Sequence, residues 1–327
     1  MFCGGAGAPA PDPPGYRRSL KLSRGAQEQK ADSKVARPGK VPVGVMPPCL
    51  NEIENSLHFK GGTVSEPDEL NEPNVIVEKE GAIGLITLNR PQEMNTFNIP
   101  FARELNDGLM ALENDPEVRV VVIQANGKHF STGISLLEFK NKTPLEYQRF
   151  IRKMDEHNIT IAHMKKPVIA SVKGYCLANG AGLSFACDLT VAAEDAKFGT
   201  TAINVGLICL GPTAPLTRLV GRKKALEMVL TGDMIPATEA LRLGLVNKIV
   251  PREQLEEATM ELARKLASKS PLALQTGKKG IYTSADMPYE KGVELLGGLF
   301  AALCATEDAE AGVKAFLAKK PPEWKER

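Results

Sequence analysis

The chain has 327 residues, of which 43% are hydrophobic and 24% charged. This is an ordinary composition for a globular protein with one large core or two modest ones. Its formal net charge is +2, so the charge balance gives no indication of nucleic-acid binding. No apolar run approaches the roughly 18 residues that cross a bilayer, so we expect a soluble protein without a membrane span.

The cysteines and histidines favour neither a disulfide framework nor a metal site. The six cysteines are scattered without CxxC pairs, which predicts buried or free thiols in a reducing compartment. The four histidines form no HxxxH or HExxH pattern, so we expect no metal.

The N-terminal segment differs in composition from the rest of the chain. Residues 1–45 are rich in Pro, Gly and Ala, and such a segment cannot bury enough apolar surface to fold. We therefore predict a mostly disordered extension over residues 1–70. The stretch "RRSLKLSRG" leaves a transit peptide open, although "PAPDPPG" would break the amphipathic helix that such a peptide needs. We expect a cytoplasmic protein, or one of the mitochondrial matrix if the extension is a transit peptide.

Strands and helices alternate over the middle of the chain. From about Val75, "NVIVEKEGAIGLITLNRP" predicts a hairpin, and "IPFARELNDGLMALENDP" predicts a helix with a regular apolar face. The strand "VRVVVIQAN" and a helical segment over about residues 144–164 follow, then the strand "KPVIASVKG", a helix beginning near Gly180, and the strand "DLTVAAED". This order predicts an α/β fold with a parallel sheet and crossover helices. From about Pro215 onward the pattern is mainly helical.

The stretch "LANGAGLSFACD", residues 177–188, predicts a strand that turns sharply into a helix through small residues. Such a turn directs free backbone N–H groups at a ligand and suits a developing negative charge. The stretch contains no acid at the start of the helix, which raises the question of where a proton-transfer group lies.

Over residues 75–322 the sequence resembles the crotonase superfamily, also called the enoyl-CoA hydratase/isomerase family. The segment "NVGLICLGPTAPLTRLVGRKKALEM" is most similar to the poorly characterised domain-containing-3 branch of hydratase-like proteins. The motifs that carry the resemblance are "ITLNRPQEMNTF", "VVVIQANGKHFSTGISL", "KPVIASVKGYCLANGAGLSFACDLTVAAEDAKFG" and "ALEMVLTGDMIPATEALRLGLVNKIVP".

The resemblance implies a ClpP/crotonase-like spiral of ββα turns, which we assign to residues 71–268. It implies a helical C-terminal region, residues 269–327, that forms homotrimers or dimers of trimers. It also implies an acyl-CoA thioester as ligand, with coenzyme A as part of the substrate and no other cofactor.

The resemblance further implies an oxyanion hole of two backbone N–H groups, those of Ile134 and Asn179. The family commonly has glycine at the second position and aspartate after the first, where this chain has Asn179 and Ser135. Because asparagine tolerates left-handed backbone angles, we expect the turn to survive.

The catalytic carboxylates of the family are missing. Hydratases of this family place glutamates at positions that match Gly182 and Ala202, and some relatives use an aspartate near Leu210. Water addition needs one group that takes a proton from water and one that protonates carbon. The chain therefore lacks, at these positions, both of the groups that the standard hydration mechanism needs.

Other residues are further candidates, and the alternative is packing or a structural role for each of them except Glu138, which on a helix would face solvent. Glu138 and His129 lie near the first donor, and five residues lie in segments predicted to line the pocket: Cys176, Thr200, Thr201, Asn204 and Cys209. By resemblance, the acyl-CoA would contact Ile134, Ser135, Leu136, Leu137, Gly180 and Thr201, and its adenine and phosphate would contact Phe316 and Lys319.

Three functions remain open from the sequence. The first is an acyl-CoA enzyme of the hydratase/isomerase type that stabilises a thioester enolate, with a decarboxylase or hydrolase as a variant. A decarboxylase forms the enolate by losing CO₂ and needs no base. The second is a catalytically silent acyl-CoA-binding homologue, and the third is a scaffold without a CoA site.

Overall fold

The structure, a computed structural model, describes residues 72–326. The predicted disordered extension of residues 1–70 lies outside the described residues. The strands are β1 (Val75–Glu80), β2 (Ile83–Leu88), β3 (Val120–Ala125), β4 (Val168–Val172), β5 (Tyr175–Leu177), β6 (Leu189–Ala193), β7 (Lys197–Gly199), β8 (Met234–Pro236) and β9 (Lys248–Val250).

The helices begin and end close to where the apolar periodicity predicts them. They are α1 (Ile99–Asn114), α2 (Pro144–Met154), α3 (Glu156–His163), α4 (Asn179–Ala186), α5 (Leu210–Thr231), α6 (Ala237–Arg242), α7 (Leu255–Ala267), α8 (Pro271–Ser284), α9 (Tyr289–Cys304) and α10 (Glu307–Leu317). The N-terminal region is thus α/β and the C-terminal region helical, as the pattern predicts.

The strands form two sheets. The larger has the order β1-β2-β3-β4-β6-β9, antiparallel between β1 and β2 and parallel elsewhere. The smaller has the order β5-β7-β8, in which β5 and β7 are parallel and β8 is antiparallel. The predicted hairpin and parallel crossovers are therefore confirmed.

The larger sheet is buried on both faces, because residues that alternate along β3 enter different clusters. Val121 and Ile123 pack with α1, whereas Val120 and Val122 pack with α7. Burial on both faces explains why β3 is a continuous apolar run rather than an alternating one.

The predicted helical segment of residues 144–164 is not one helix. Thr143 and Glu146 form a capping box at the start of α2, and α2 ends at Met154. Asp155 has φ −104° and ψ 0° and separates α2 from α3. The sequence pattern did not reveal this break, since no proline or glycine marks it.

A buried ion pair ties the sheet to the C-terminal helices. The Lys278 ammonium on α8 donates to an Asp188 carboxylate oxygen at 2.7 Å, and the Val168 amide donates to the same oxygen at 2.7 Å. The Tyr282 hydroxyl donates to the other oxygen at 3.0 Å. Asp188 lies just after α4, so this contact also fixes the far end of that helix.

We expect Lys278→Met to lower the free energy of unfolding by about 3 kcal/mol, because Asp188 would keep a buried charge without its cation. Urea unfolding followed by circular dichroism measures the loss. Lys279→Met, at the exposed neighbouring residue, is the matched control and should change stability by less than about 0.5 kcal/mol. Equal losses in the two variants would contradict the role of the ion pair.

Candidate active site

The turn between β5 and α4 has an unusual backbone. Ala178 has φ 47° and ψ −122°, a conformation that non-glycine residues adopt only at a cost of order 1–3 kcal/mol. Its amide donates to the Gly199 carbonyl oxygen at 2.8 Å, which holds the strained residue in place. Asn179 follows as the first residue of α4, so its own N–H has no acceptor four residues earlier in the helix.

The loop before Ile134 lies directly against this turn. A Cβ on Gly133, which has φ +100°, would lie 2.5 Å from the Ala178 Cβ and 3.2 Å from the Asn179 nitrogen. A Cβ on Gly180 would lie 2.4 Å from the Ser131 carbonyl oxygen. Only glycine permits this approach, which brings the Ile134 amide, bonded to the Gly133 carbonyl, close to the Asn179 amide.

The Ile134 amide is left free by the hydrogen bonds of its neighbours. The Phe97 amide donates to the Gly133 carbonyl at 2.8 Å, and the Ser135 amide donates to the Phe97 carbonyl at 2.9 Å. In this parallel pairing the N–H of Ile134 points away from Phe97. Within residues 72–326 no acceptor takes it. The two predicted donors are therefore neighbours.

Asn95 stabilises the loop that precedes Ile134 through hydrogen bonds, a role that the sequence did not reveal. Its side-chain amide donates to the carbonyls of Asn126 and His129, both at 3.0 Å. The Ser131 hydroxyl donates to the Asn95 carbonyl at 2.7 Å. His129 accepts from the Tyr175 amide at 3.0 Å through Nδ1 and stacks on the Tyr175 ring, so its contacts are structural.

The expectation that Asn179 takes the left-handed angle is wrong, since the positive φ falls one residue earlier, at Ala178. The Asn179 side chain instead donates to an Asp155 carboxylate oxygen at 2.8 Å. Burial raises the pKa of the Asp155 carboxyl, and the hydrogen bond from Asn179 opposes that rise. The sequence analysis did not single out Asp155.

The two positions at which the sequence predicts absent glutamates, Gly182 and Ala202, lie in α4 and in the segment after β7. A Cβ on Gly182 would lie 2.9 Å from Pro212 Cγ, so the start of α5 fills the space that a side chain would need. Ala202 lies in a short 3₁₀ helix, Thr201–Val205, that follows β7. Leu210, the first residue of α5, is exposed.

The thiols in this region are poor nucleophiles. Burial raises the pKa of Cys176 well above its ordinary value, and Cys176 Sγ contacts the Gly180 carbonyl at 3.4 Å. Burial also raises the pKa of Cys209; a hydrogen bond from the Ala202 backbone lowers it, and the charge of Asp155 raises it further. Neither thiol is set up as a thiolate.

The remaining polar candidates differ in their contacts. The Thr200 hydroxyl is buried and has no hydrogen-bond partner among the described residues, while Thr201 is half-buried. Asn204 donates to the Gly232 carbonyl at 3.4 Å. Glu138 is half-buried and lies 3.8 Å from the Lys142 ammonium, rather than facing solvent alone.

The predicted CoA contacts fall into two separate groups. Ser135 precedes a 3₁₀ turn, Leu136–Glu138, in which Leu136 and Leu137 are exposed beside the Ile134 amide. Phe316 lies in the last turn of α10 and is 82% exposed, and Lys319 follows the helix with φ 53°. The first group lies in the loop that follows Ile134, whereas Phe316 packs on little of its own chain.

Three further observations concern metal binding, membrane spans and cavities. Over residues 72–326 no group of three His, Cys, Asp or Glu side chains could hold a metal ion, and no helix there is long and apolar enough to span a membrane. A cavity of about 210 Å³ lies elsewhere, beside Lys166 and the end of α1, and none of the predicted site residues lines it.

Comparison with known proteins agrees with this geometry. The family model described as enoyl-CoA hydratase/isomerase matches residues 78–327. The chain belongs to the enoyl-CoA hydratase/isomerase family. The probable enoyl-CoA hydratase of Rhizobium meliloti (strain 1021) is 38% identical over 255 residues, which cover 77% of this chain and 98% of the relative.

The likeness to the domain-containing-3 branch is confirmed as well. The mitochondrial enoyl-CoA hydratase domain-containing protein 3 of Xenopus laevis is 34% identical over 253 residues, covering 77% of this chain and 86% of the relative. The crystal structure of human enoyl Coenzyme A hydratase domain-containing protein 3 has a TM-score of 0.74 at 33% identity, covering 77% of this chain and all of the human one. The predicted crotonase fold is thereby confirmed.

We expect Gly133→Ala to lower the free energy of unfolding by about 2 kcal/mol, because alanine is strained at this φ and its Cβ would collide with Ala178. Urea unfolding measures this change. Gly277→Ala is the control: Gly277 is an exposed helical residue with open space at its Cβ, so alanine should stabilise by about 0.5–1 kcal/mol. A neutral Gly133→Ala would contradict the close approach.

Proposed function

We propose that this chain binds an acyl-CoA thioester and stabilises its enolate between the amides of Ile134 and Asn179. The observation that carries the proposal is the close approach of Gly133 to the Asn179 nitrogen. An enolate concentrates negative charge on the thioester oxygen, and two preorganised donors at a helix N-terminus stabilise that charge. Loss of one such donor typically raises a reaction barrier by about 2.7–4 kcal/mol.

We further propose that the substrate lies along Ile134, Ser135, Leu136 and Leu137, with Gly180 and Thr201 near its thioester. Coenzyme A would enter only as part of the substrate, and no other cofactor is proposed. Standard hydration is not proposed, since Gly182 and Ala202 carry no carboxylate and Pro212 fills the space over Gly182. A silent acyl-CoA-binding protein, or a decarboxylase or hydrolase of this family, is the alternative.

Acetoacetyl-CoA tests the proposed hole directly, because the enolate of this β-keto thioester absorbs in the near ultraviolet. We expect binding to increase the enolate band at constant pH, since the two amides lower the energy of the anion. Gly133→Ala should abolish the increase and Gly277→Ala should retain it. Binding without a change in the band would support the silent alternative, and absence of binding would refute the proposal.

Crotonyl-CoA, followed by loss of the enoyl-thioester absorbance, tests hydration separately. We expect a rate near that without enzyme, because each missing acid or base typically contributes 10²–10⁴-fold. A rate well above that level would show that a proton shuttle outside positions 182 and 202 supports hydration.

We propose a homotrimer or a dimer of trimers as the assembly. Tyr289, Val293, Leu296 and Phe300 repeat at helical spacing on α9, and all are exposed. Such an apolar face is typical of a surface that another chain covers. The exposed Phe316 and Lys319 would then contact the adenine and phosphate of a CoA bound to a neighbouring subunit.

Light scattering after gel filtration should give a mass three or six times that of one chain. Phe300→Glu should reduce the mass, because a charge would be buried at the interface. Lys291→Gln, at an exposed position on the same helix, is the control and should leave it unchanged. A single-chain mass for the unmodified protein would rule the trimer out.

A reducing compartment is proposed from the free thiols of Cys176, Cys187, Cys209 and Cys304 among the described residues. The proposed compartment is the cytoplasm, or the mitochondrial matrix if the N-terminal extension acts as a transit peptide. The Xenopus laevis relative is named as mitochondrial.

A further inference from the structure

Asp155 is oriented toward the oxyanion turn rather than toward its own helix. It occupies the N-cap position of α3, where aspartate commonly accepts a hydrogen bond from the first turn. In the described structure its side chain makes no such capping bond. Its carboxylate accepts from the Asn179 side chain at 2.8 Å instead. The carboxylate therefore contacts the side chain of the same residue, Asn179, whose backbone amide is proposed to hold the thioester oxygen.

The start of α5 is shaped around this carboxylate. A Cβ on Gly211 would lie 2.3 Å from both Asp155 carboxylate oxygens, and the next residue, Pro212, covers Gly182. Glycine at 211 thus admits a carboxylate beside the position from which the family's first glutamate would extend. The Cys209 thiol lies near this carboxylate and near the Ala202 backbone, since both affect its pKa.

The carboxylate has no cation to balance it in the part of the chain that the structure describes. The nearest charged side chains along its own helices are Lys153 and Glu156, which pair with each other at 3.0 Å on the surface. His157 on α3 is buried, and burial lowers its pKa to about 4, so it is neutral. Cys209, which directly precedes α5, is a neutral thiol because burial raises its pKa, and Asn179 on α4 contributes its neutral side-chain amide. Burial without a counter-ion raises the pKa of the Asp155 carboxyl above its ordinary value, and the hydrogen bond from Asn179 opposes that rise.

We propose that Asp155 is the residue that moves the α-proton at this site, where positions 182 and 202 carry no carboxylate. The inference rests on the proposed acyl-CoA function. The Asp155 carboxylate takes a proton from the α-carbon, which is two bonds from the thioester oxygen. The electron pair of the C–H bond moves into the new C=C bond, and the carbonyl π pair moves to the oxygen held by Ile134 and Asn179. The protonated Asp155 then returns its proton to the same carbon, so the step needs no further reactant.

Exchange of the α-hydrogens of butyryl-CoA with D₂O, followed by mass spectrometry, tests this step. The unmodified protein should exchange them faster than the solution without protein. Asp155→Asn should slow exchange by about 10²-fold or more, while butyryl-CoA binding by calorimetry stays within a few-fold. The introduced amide could still accept from Asn179, and the substitution removes an unbalanced charge, so the melting temperature of this variant at neutral pH should not fall.

Two further variants separate the carboxylate from the fold. Asp155→Glu retains a carboxylate and should restore part of the exchange. Glu156→Gln, at the next residue on the surface, should exchange at the unmodified rate.

The exchange rate of the unmodified protein should rise with pH and level off above the ordinary aspartate pKa of about 3.9, because burial favours the protonated form. Asp155→Asn should lack this rise.

The outcomes distinguish the two proposals. Equal exchange by Asp155→Asn and the unmodified protein would overturn the role of Asp155 and leave acyl-CoA enolisation standing. Binding of butyryl-CoA without exchange by the unmodified protein would also overturn that role and favour silent binding. Absence of butyryl-CoA binding would overturn both proposals.

Discussion

The contact between the loop at Gly133 and the N-terminus of α4 is the constraint on which the site depends. Two backbone segments approach so closely that neither Gly133 nor Gly180 has room for a Cβ, and Ala178 accepts a strained conformation between them. A strained backbone conformation of this kind persists only where contacts with the surrounding structure hold it in place. Here β5, β7 and Asn95 hold the two segments. The positions of the Ile134 and Asn179 amides therefore depend on the backbone and on these supporting contacts.

The same contact does not depend on a carboxylate at position 182 or 202, where this chain has Gly182 and Ala202. The proposed oxyanion hole consists of two backbone amides, so side-chain changes on the next turn of α4 would leave those amides in place. At Gly182 the freed volume is filled by Pro212, and α5 begins directly over α4. The substitution Gly182→Glu would therefore require α5 to move, because the ring of Pro212 is rigid.

Much of the architecture was predictable because it depends on local pattern. The buried run of β3, the hairpin of β1 and β2, and the apolar face of α1 each follow from hydrophobic periodicity. The motifs around Ile134 and Asn179 pointed to the two segments that approach each other, although the residue that carries the strain was not predicted. The break at Asp155 escaped prediction, since helical periodicity continues across it and no helix-breaking residue marks it.

The sequence by itself determined the family, the order of strands and helices, and the absence of carboxylates at positions 182 and 202. Only the tertiary structure decided what occupies the space those carboxylates would need. Pro212 covers Gly182, and Asp155 reaches Asn179 from 24 residues earlier in the chain. The physical reason is that burial and the approach of distant segments set the environment of an ionisable group, and neither can be read from the spacing of residues along one segment.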